Sequence, residues 1–242
     1  MLAGISVEYY TQLERGNVRG VSEDVLDAVA RALRLDDVER THLMDLVRVL
    51  KKRPMRGRRP REQVRPPVQH LLDAMTEAAA FIRTTRLDIL SANALGYSLY
   101  SDAFANPDRP VNLARFVFLD PQAREFYVDW DDIADAGVGS LRIEAGRDPY
   151  DRELTELVGE LSMRSDDFRV RWAAHDVREY RAGVQRFRHT LVGDLTLNYE
   201  ALALVADPGQ VIVVYAAEPG SPSHEALRRL ATWGDNAHSP SA

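Results

Sequence analysis

The residue types that most often carry catalysis are few and scattered in this chain of 242 residues. Cysteine is absent, which excludes disulfides, thiolate metal sites and cysteine nucleophiles. None of the six histidines is paired with another at the spacing of metal ligands on a helix. His175 beside Asp176 resembles a catalytic dyad, although a histidine that closes a helix is the commoner explanation. The sequence therefore predicts no metal site and no cofactor.

Glycines and carboxylates give no stronger support for an enzyme. Gly137 and Gly139 lie in a helical stretch and lack the lysine or the third glycine of a phosphate-binding loop. Asp131 and Asp132 are neighbours in sequence, so their side chains diverge on a helix surface. We therefore expect a protein that binds rather than catalyses.

The segment 4–16 carries the most specific pattern in the chain. Ser6 is a good helix cap, and Gly16 ends the helix with the residue type that favours a left-handed conformation. Tyr10 and Leu13 would face inward, and polar residues would face outward. A short capped helix of this kind suits the second helix of a helix-turn-helix, although it could also be a helix that only packs against its neighbours.

Two further short helices follow within residues 1–50. Ser22 precedes one apolar stripe, and Asp36 with Glu39 forms a capping-box pattern before another. Three helices with connections this short must pack on one another.

Residues 1–50 resemble the later part of an Xre-type (phage-repressor-like) helix-turn-helix, through the segment 4–16 and the loop 17–22. The resemblance implies sequence-specific DNA binding. Gln12 would suit an adenine edge, and Glu8 would suit a cytosine amino group. By residue, the resemblance places Ser6, Val7, Glu8 and Gln12 in the major groove and Tyr9, Arg15 and Arg19 at phosphates.

The chain begins at Met1, and its first residues match only the end of the helix that precedes the recognition helix in that family. We expect the true start to lie upstream. The alternative is a ligand-sensing protein-interaction module, whose DNA-binding head is no longer competent and which titrates a full-length partner.

A short basic segment separates two acidic regions. Residues 51–65 contain eight arginines and lysines against Glu62 alone, whereas the whole chain has a net charge of -6. Prolines at 54, 60, 66 and 67 prevent a continuous helix there. We therefore predict a helix-turn-helix domain at 1–50, a linker at 51–65, a ligand-binding domain at 66–235 and a disordered tail at 236–242. The linker is either solvated or follows DNA phosphates.

The second region contains strands at both ends and helices between them. A helix at 67–78 precedes two short strands at 80–84 and 87–92, and alternating apolar residues then predict three strands between 184 and 215. This order is typical of a PAS-like sensor fold. The predicted fold class is α+β, with an all-α N-terminal part (an incomplete helix-turn-helix) and a PAS-like domain that has a five-stranded antiparallel sheet with helices.

Several long motifs follow one another through the second region. They are 112–115, 118–121, 123–127 with Asp129 and Trp130, 157–162, Trp172 with 175–178, and 217–223. In this order they resemble the MmyB-like ligand-binding domain. The resemblance implies a transcription regulator with a small apolar or fatty-acid-like ligand. Gln185 and Thr190 depart from the lysine and proline common there, which bears on the polarity of the ligand.

The expected ligand lies between the sheet and the helices, beside residues that could equally be plain core. A carboxylate headgroup would need a cation nearby. The apolar candidates are Phe81, Ile89, Leu95, Leu99, Phe116, Phe118, Trp172, Phe187 and Tyr199, and the polar candidates are Arg178, Arg186, Arg188 and His189.

The remaining expectations concern assembly and location. A symmetric operator is read by two copies, so we expect a homodimer. No secretory signal or membrane-spanning run is evident, so we expect a cytoplasmic protein that does not bind a membrane.

Replacing Gln12 tests the predicted reading of a base. Gln12→Ala should lose about 1–3 kcal/mol of preference at one operator position, with an unchanged salt dependence. Fluorescence anisotropy on a set of single-base operator variants measures both quantities. An equal loss of affinity on every sequence would show that Gln12 does not read a base.

Overall fold

The computed structural model describes residues 6–14, 21–51, 63–105, 110–174 and 181–237. The N-terminal helices are α1 (Val7–Glu14), α2 (Glu23–Leu33) and α3 (Asp37–Lys51). The strands are β1 (Ala79–Thr84), β2 (Ile89–Ala92), β3 (Ala182–His189), β4 (Gly193–Ala203) and β5 (Gln210–Ala216). The other helices are α4 (Pro66–Asp73), α5 (Ala94–Leu99), α6 (Ser101–Ala105), α7 (Leu113–Leu119), α8 (Gln122–Phe126), α9 (Trp130–Arg147), α10 (Arg152–Arg164), α11 (Asp166–Ala173) and α12 (Pro222–Ala237).

Side-chain caps start the first three helices, as the sequence predicts. The Ser22 hydroxyl accepts a hydrogen bond from the Val25 amide at the start of α2. Asp36 and Glu39 form a reciprocal capping box at α3, in which each carboxylate accepts from the other residue's backbone amide at 2.8 Å. These helices share a small core around Val21 and Leu26.

The five strands form one antiparallel sheet in the order β2-β1-β5-β4-β3. Helices precede and follow this sheet along the chain, so the predicted α+β class is confirmed. The central strand is β5, the last strand along the chain, which pairs with β1 on one side and with β4 on the other.

The two faces of the sheet differ because side chains alternate along each strand. Phe81 and Tyr215 point to the main core, which lies between the sheet and the helices that follow β2. Ala80 and Ile82 point the other way, where α4 covers them with Leu72. We call the first of these the inner face.

The stretch 121–147 forms two helices, α8 and α9, instead of one. The break lies at Tyr127, which forms a β-bridge with Phe187 beside strand β3. The Val128 amide donates to the Arg186 carbonyl at 3.2 Å. Pairing with the edge strand thus competes with the helix and redirects α9, an effect that helical periodicity does not reveal.

Asn93 fixes the passage from β2 into α5. Its buried side chain accepts hydrogen bonds from the amides of Ala80 at 3.0 Å and Gly96 at 2.7 Å and donates to the carbonyls of Met75 and Ala78. This brings α5 so close to β1 that a Cβ on Gly96 would lie 2.4 Å from the Ala80 carbonyl oxygen.

Two glycine substitutions test this close approach. Gly96→Ala should lower the free energy of unfolding by about 1–3 kcal/mol, because backbone atoms must move apart. Gly159→Ala is the matched control: its Cβ would meet nothing within 4 Å, so it should raise stability by about 0.5–1 kcal/mol. Urea denaturation measures both. Equal stability of Gly96→Ala and the wild type would contradict the packing of α5 on β1.

Candidate ligand-binding site

A cavity of about 110 Å³ lies between the inner face of the sheet and the helices α7 and α9. We call it the inner cavity. Most of its wall is apolar, and its volume is somewhat below the roughly 150 Å³ of a protein cavity that holds benzene. It is lined by Phe81, Arg83, Leu87, Tyr100, Leu113, Ala114, Val117, Phe118, Tyr127, Ile133, Ala136, Gly137, Ser140, Gln185, Tyr199, Ala201, Val213 and Tyr215.

Small side chains on α9 keep this space open. Ala136, Gly137 and Ser140 lie on the helix face that is turned to the cavity. A Cβ on Gly137 would make only ordinary contact with the Phe118 ring, at 3.9 Å. A larger residue at this position would therefore extend into the cavity instead of colliding with its wall.

The sheet supplies the polar part of the wall. Arg83 lies two residues after Phe81 on β1, so both side chains are on the inner face. The Tyr100 hydroxyl donates to the Tyr215 hydroxyl at 2.9 Å, which donates in turn to Gln185 Oε1 at 3.2 Å. A cation and a chain of hydroxyl and amide groups thus face an otherwise apolar space.

Burial shapes the acid–base behaviour of these tyrosines. It raises the pKa of Tyr100 and Tyr127 well above the ordinary value. Burial also raises the pKa of Tyr215, to about 12, although the hydrogen bond with Tyr100 and the charge of Arg83 act in the opposite direction. The hydroxyls are therefore neutral at physiological pH and are suited to hydrogen bonding.

The structure brings some of the sequence-predicted apolar residues to the cavity and leaves others in the core around it. Phe81, Phe118 and Tyr199 line the cavity. Ile89, Leu95, Leu99, Phe116 and Phe187 are buried in the main core but are absent from the cavity wall.

Trp172 lies away from the inner cavity, at the end of α11. Its ring stacks on Phe168 with the two centroids 5.6 Å apart. The Arg142 guanidinium also lies over this ring, 4.4 Å from its centroid, and donates to the Trp172 carbonyl. These contacts tie α11 to α9.

The predicted headgroup cations are engaged elsewhere. Arg186 forms a bidentate pair with Asp129, and Arg188 lies 3.6 Å from Asp194. His189 is buried, where its Nδ1 accepts from the Leu191 amide and its Nε2 donates to the Ser98 carbonyl at 3.1 Å. Arg178 lies outside the described residues.

The predicted DNA-reading residues lie on or next to α1. Ser6 caps this helix by accepting from the Tyr9 amide at 3.1 Å. Tyr9 packs against the small core of the head, whereas Gln12 is exposed. Val7 and Glu8 form the first turn of α1, and Arg15 and Arg19 lie outside the described residues.

Sequence reasoning missed the cation that faces the cavity. Arg83 is the one charged residue of the strand sequence Ala-Ala-Phe-Ile-Arg-Thr, and it shares the parity of Phe81. A charge on the buried face of a central strand is unusual, and this was the signal that could have identified it. The contributions of Tyr100 and Tyr127 depend on tertiary packing and had no such signal.

Helix α9 also contacts the N-terminal helices. The His42 ring on α3 lies against Gly146, where a Cβ would be 2.4 Å from it. Burial, followed by the charge of Arg142, lowers the pKa of His42, so its ring is neutral at physiological pH. Arg147 Nε lies 3.7 Å from Asp45 Oδ2. Helix α9 therefore lines the inner cavity and contacts α3 at its C-terminal end.

Two other kinds of site were sought in the described part of the chain. It contains no group of three or more histidines and carboxylates that could hold a metal ion. Among the same residues, no helix is long and apolar enough to cross a membrane.

Residues 64–230 match the family model of the MmyB-like transcription regulator ligand binding domain. The match covers more than half of the chain, so the chain belongs to this family. Family membership indicates a ligand-responsive transcription regulator. The match begins after α3, so it does not include the predicted helix-turn-helix. A search of curated proteins found no match.

An alkaline titration tests the buried tyrosine cluster. Because the folded-state pKa values are raised, the unfolded state loses these protons first as pH rises. The contribution of these tyrosines to the free energy of unfolding should therefore be constant below about pH 10 and be lost as pH rises towards about 12. The phenolate absorbance of Tyr100, Tyr127 and Tyr215 should appear only with unfolding.

Two variants assign the signal in this titration. Tyr215→Phe should reduce the absorbance change that accompanies unfolding, whereas Tyr150→Phe, at a side chain that is 67% exposed, should leave it unchanged. If all tyrosines ionised while circular dichroism still reported a native fold, the burial of the cluster would be contradicted.

Proposed function

We propose that this protein is a cytoplasmic, sequence-specific DNA-binding regulator whose inner cavity takes a fatty-acid-like ligand. The observation that carries the proposal is an apolar cavity whose wall, in the part of the chain that the structure describes, contains one charged residue, Arg83, in a domain of the family described above. An alkyl chain would occupy the apolar part, and its carboxylate would pair with the guanidinium.

The size of the cavity favours a short or medium chain. A space of about 110 Å³ accommodates only part of such a ligand without rearrangement. Gln185 and the Tyr215 hydroxyl add hydrogen-bonding groups to the cavity wall. A plain hydrocarbon could not form hydrogen bonds with them. Octanoate is therefore a suitable probe.

Helix α9 supports a coupling between ligand and head. Ile133 and Gly137 line the cavity, and Gly146, about two and a half turns further along, packs against His42 of α3. A ligand that shifts α9 would also shift its contact with α3. It would change DNA affinity only if it binds the two arrangements with different affinity.

The head contributes the proposed DNA contacts. Gln12 is exposed on α1, and α1 is held by its cap and by the packing of Tyr9 and Leu13 against α2 and α3. A homodimer would present two such heads to a symmetric operator. Tyr9 would contact DNA only through its hydroxyl, because its ring packs inward.

A DNA-binding titration with and without octanoate tests the proposal. Octanoate should change the affinity for DNA from the gene's own upstream region by about fivefold or more, measured by fluorescence anisotropy. In Gly137→Leu the new side chain should fill the cavity, so octanoate should no longer have an effect while DNA binding persists.

Gly159→Leu is the matched control for Gly137→Leu. It adds the same side chain at an exposed helical glycine and should respond to octanoate as the wild type does. An octanoate effect that survives in Gly137→Leu would place the ligand elsewhere. A chain that binds octanoate but no DNA, even at low salt, would support the protein-interaction alternative instead.

A further inference from the structure

A second cavity of about 300 Å³ lies next to the inner cavity. Its wall consists of the ends of β1, β4 and β5, the turn that precedes β5 and the C-terminal half of α9. The two cavities share Arg83, Ser140 and Ala201 as lining residues, so they meet at the Arg83 side chain. We call the second cavity the vestibule.

The charges of the two cavities differ. Among the described residues, Arg83 is the only charged one that lines the inner cavity, whereas the vestibule is lined by Arg83, Arg147, Arg181 and Glu144. Three guanidinium groups and one carboxylate thus line the vestibule. Burial raises the pKa of Glu144, which makes this carboxylate the more readily neutralised by a proton.

Arg147 is held by longer contacts than Arg65. Its guanidinium lies 3.7 Å from Asp45 and 3.9 Å from Glu144, and both distances exceed that of a hydrogen bond. Asp45 itself is bound more closely by Arg48, at 3.0 Å. Arg65, by contrast, pairs with Asp207 at 2.7 Å. An incoming anion could thus bind Arg147 without breaking a short ion pair.

We propose that the vestibule binds the phosphate of an amphipathic phosphomonoester whose alkyl part enters the inner cavity. This inference rests on the proposed function, because it uses the same cavity for the apolar part of the ligand. A phosphate carries close to two negative charges at neutral pH and offers three acceptor oxygens, which suits a wall with several arginine donors. A carboxylate offers only one negative charge and two acceptor oxygens, so it matches this wall less well.

The proposal also connects the ligand to the head. Arg147 would be shared between the phosphate in the vestibule and Asp45 on α3, so occupancy of the vestibule would weaken that ion pair. The headgroup would then act on the same α3–α9 contact that the alkyl chain reaches through Gly137.

Isothermal titration calorimetry on the full chain at a slightly alkaline pH distinguishes the headgroups. The probes are octyl phosphate, octanoate, octyl sulfate and inorganic phosphate. Octyl phosphate should bind about tenfold or more tightly than octanoate and octyl sulfate, because it alone combines an alkyl chain with a double charge. Equal affinity for octyl sulfate and octyl phosphate would overturn the requirement for a double charge.

Two charge-removing variants locate the preference. Arg147→Gln should abolish the tenfold advantage of octyl phosphate and change octanoate binding by less than about twofold. Arg152→Gln is the matched control on α10, at an exposed side chain outside the vestibule, and should retain the full advantage. If Arg147→Gln weakened both ligands equally, the vestibule would not be the phosphate site.

The remaining outcomes separate this inference from the proposed function. Octanoate binding without any advantage of octyl phosphate would overturn the inference and leave the proposed function standing. Binding of neither amphiphile would overturn both. If inorganic phosphate bound as tightly as octyl phosphate, the vestibule would be a site for free phosphate. That result would overturn the proposal that the ligand is amphipathic.

Discussion

The small side chains of α9 are the constraint on which the site depends. Protein interiors are close-packed, so a space between a sheet and a helix persists only where the facing residues are too small to fill it. On α9 these small residues are Ala136, Gly137 and Ser140. Aromatic and aliphatic residues of β1, β4 and β5 form the opposite wall. The same helix then meets His42 and Asp45 of α3. The inner cavity and the contact with α3 thus both depend on α9.

Polar groups are placed where the strand alternation allows them. Arg83 shares the inner face with Phe81. Gln185, on β3, accepts a hydrogen bond from the Tyr215 hydroxyl. Burying polar groups has a cost in free energy, which is offset here by the hydrogen bonds from Tyr100 to Tyr215 and from Tyr215 to Gln185 and by the donation of Arg83 to the Thr84 carbonyl. Core packing alone does not require such groups, and a ligand with a polar end would use them.

Much of the fold could be predicted from the sequence, because its signals are local. The caps at Ser22 and Asp36 and the period-two alternation of β3 and β4 act over a few residues. The break at Tyr127 could not be predicted, because it depends on pairing with Phe187, far along the chain. Arg186 and Arg188, two of the predicted headgroup cations, lie on the solvent side of β3, as the alternation along this strand dictates.

Hydrogen–deuterium exchange with and without octanoate tests most directly the claim that ligand in the cavity acts through α9. Peptides from α9 (Trp130–Arg147) should become protected, and those from α3 (Asp37–Lys51) should change their exchange rate in the same titration. Peptides from α10 (Arg152–Arg164) should change least, because no residue of this helix lines the inner cavity. Protection of α9 with no change in α3 would contradict the coupling, and no change in α9 would contradict the site itself.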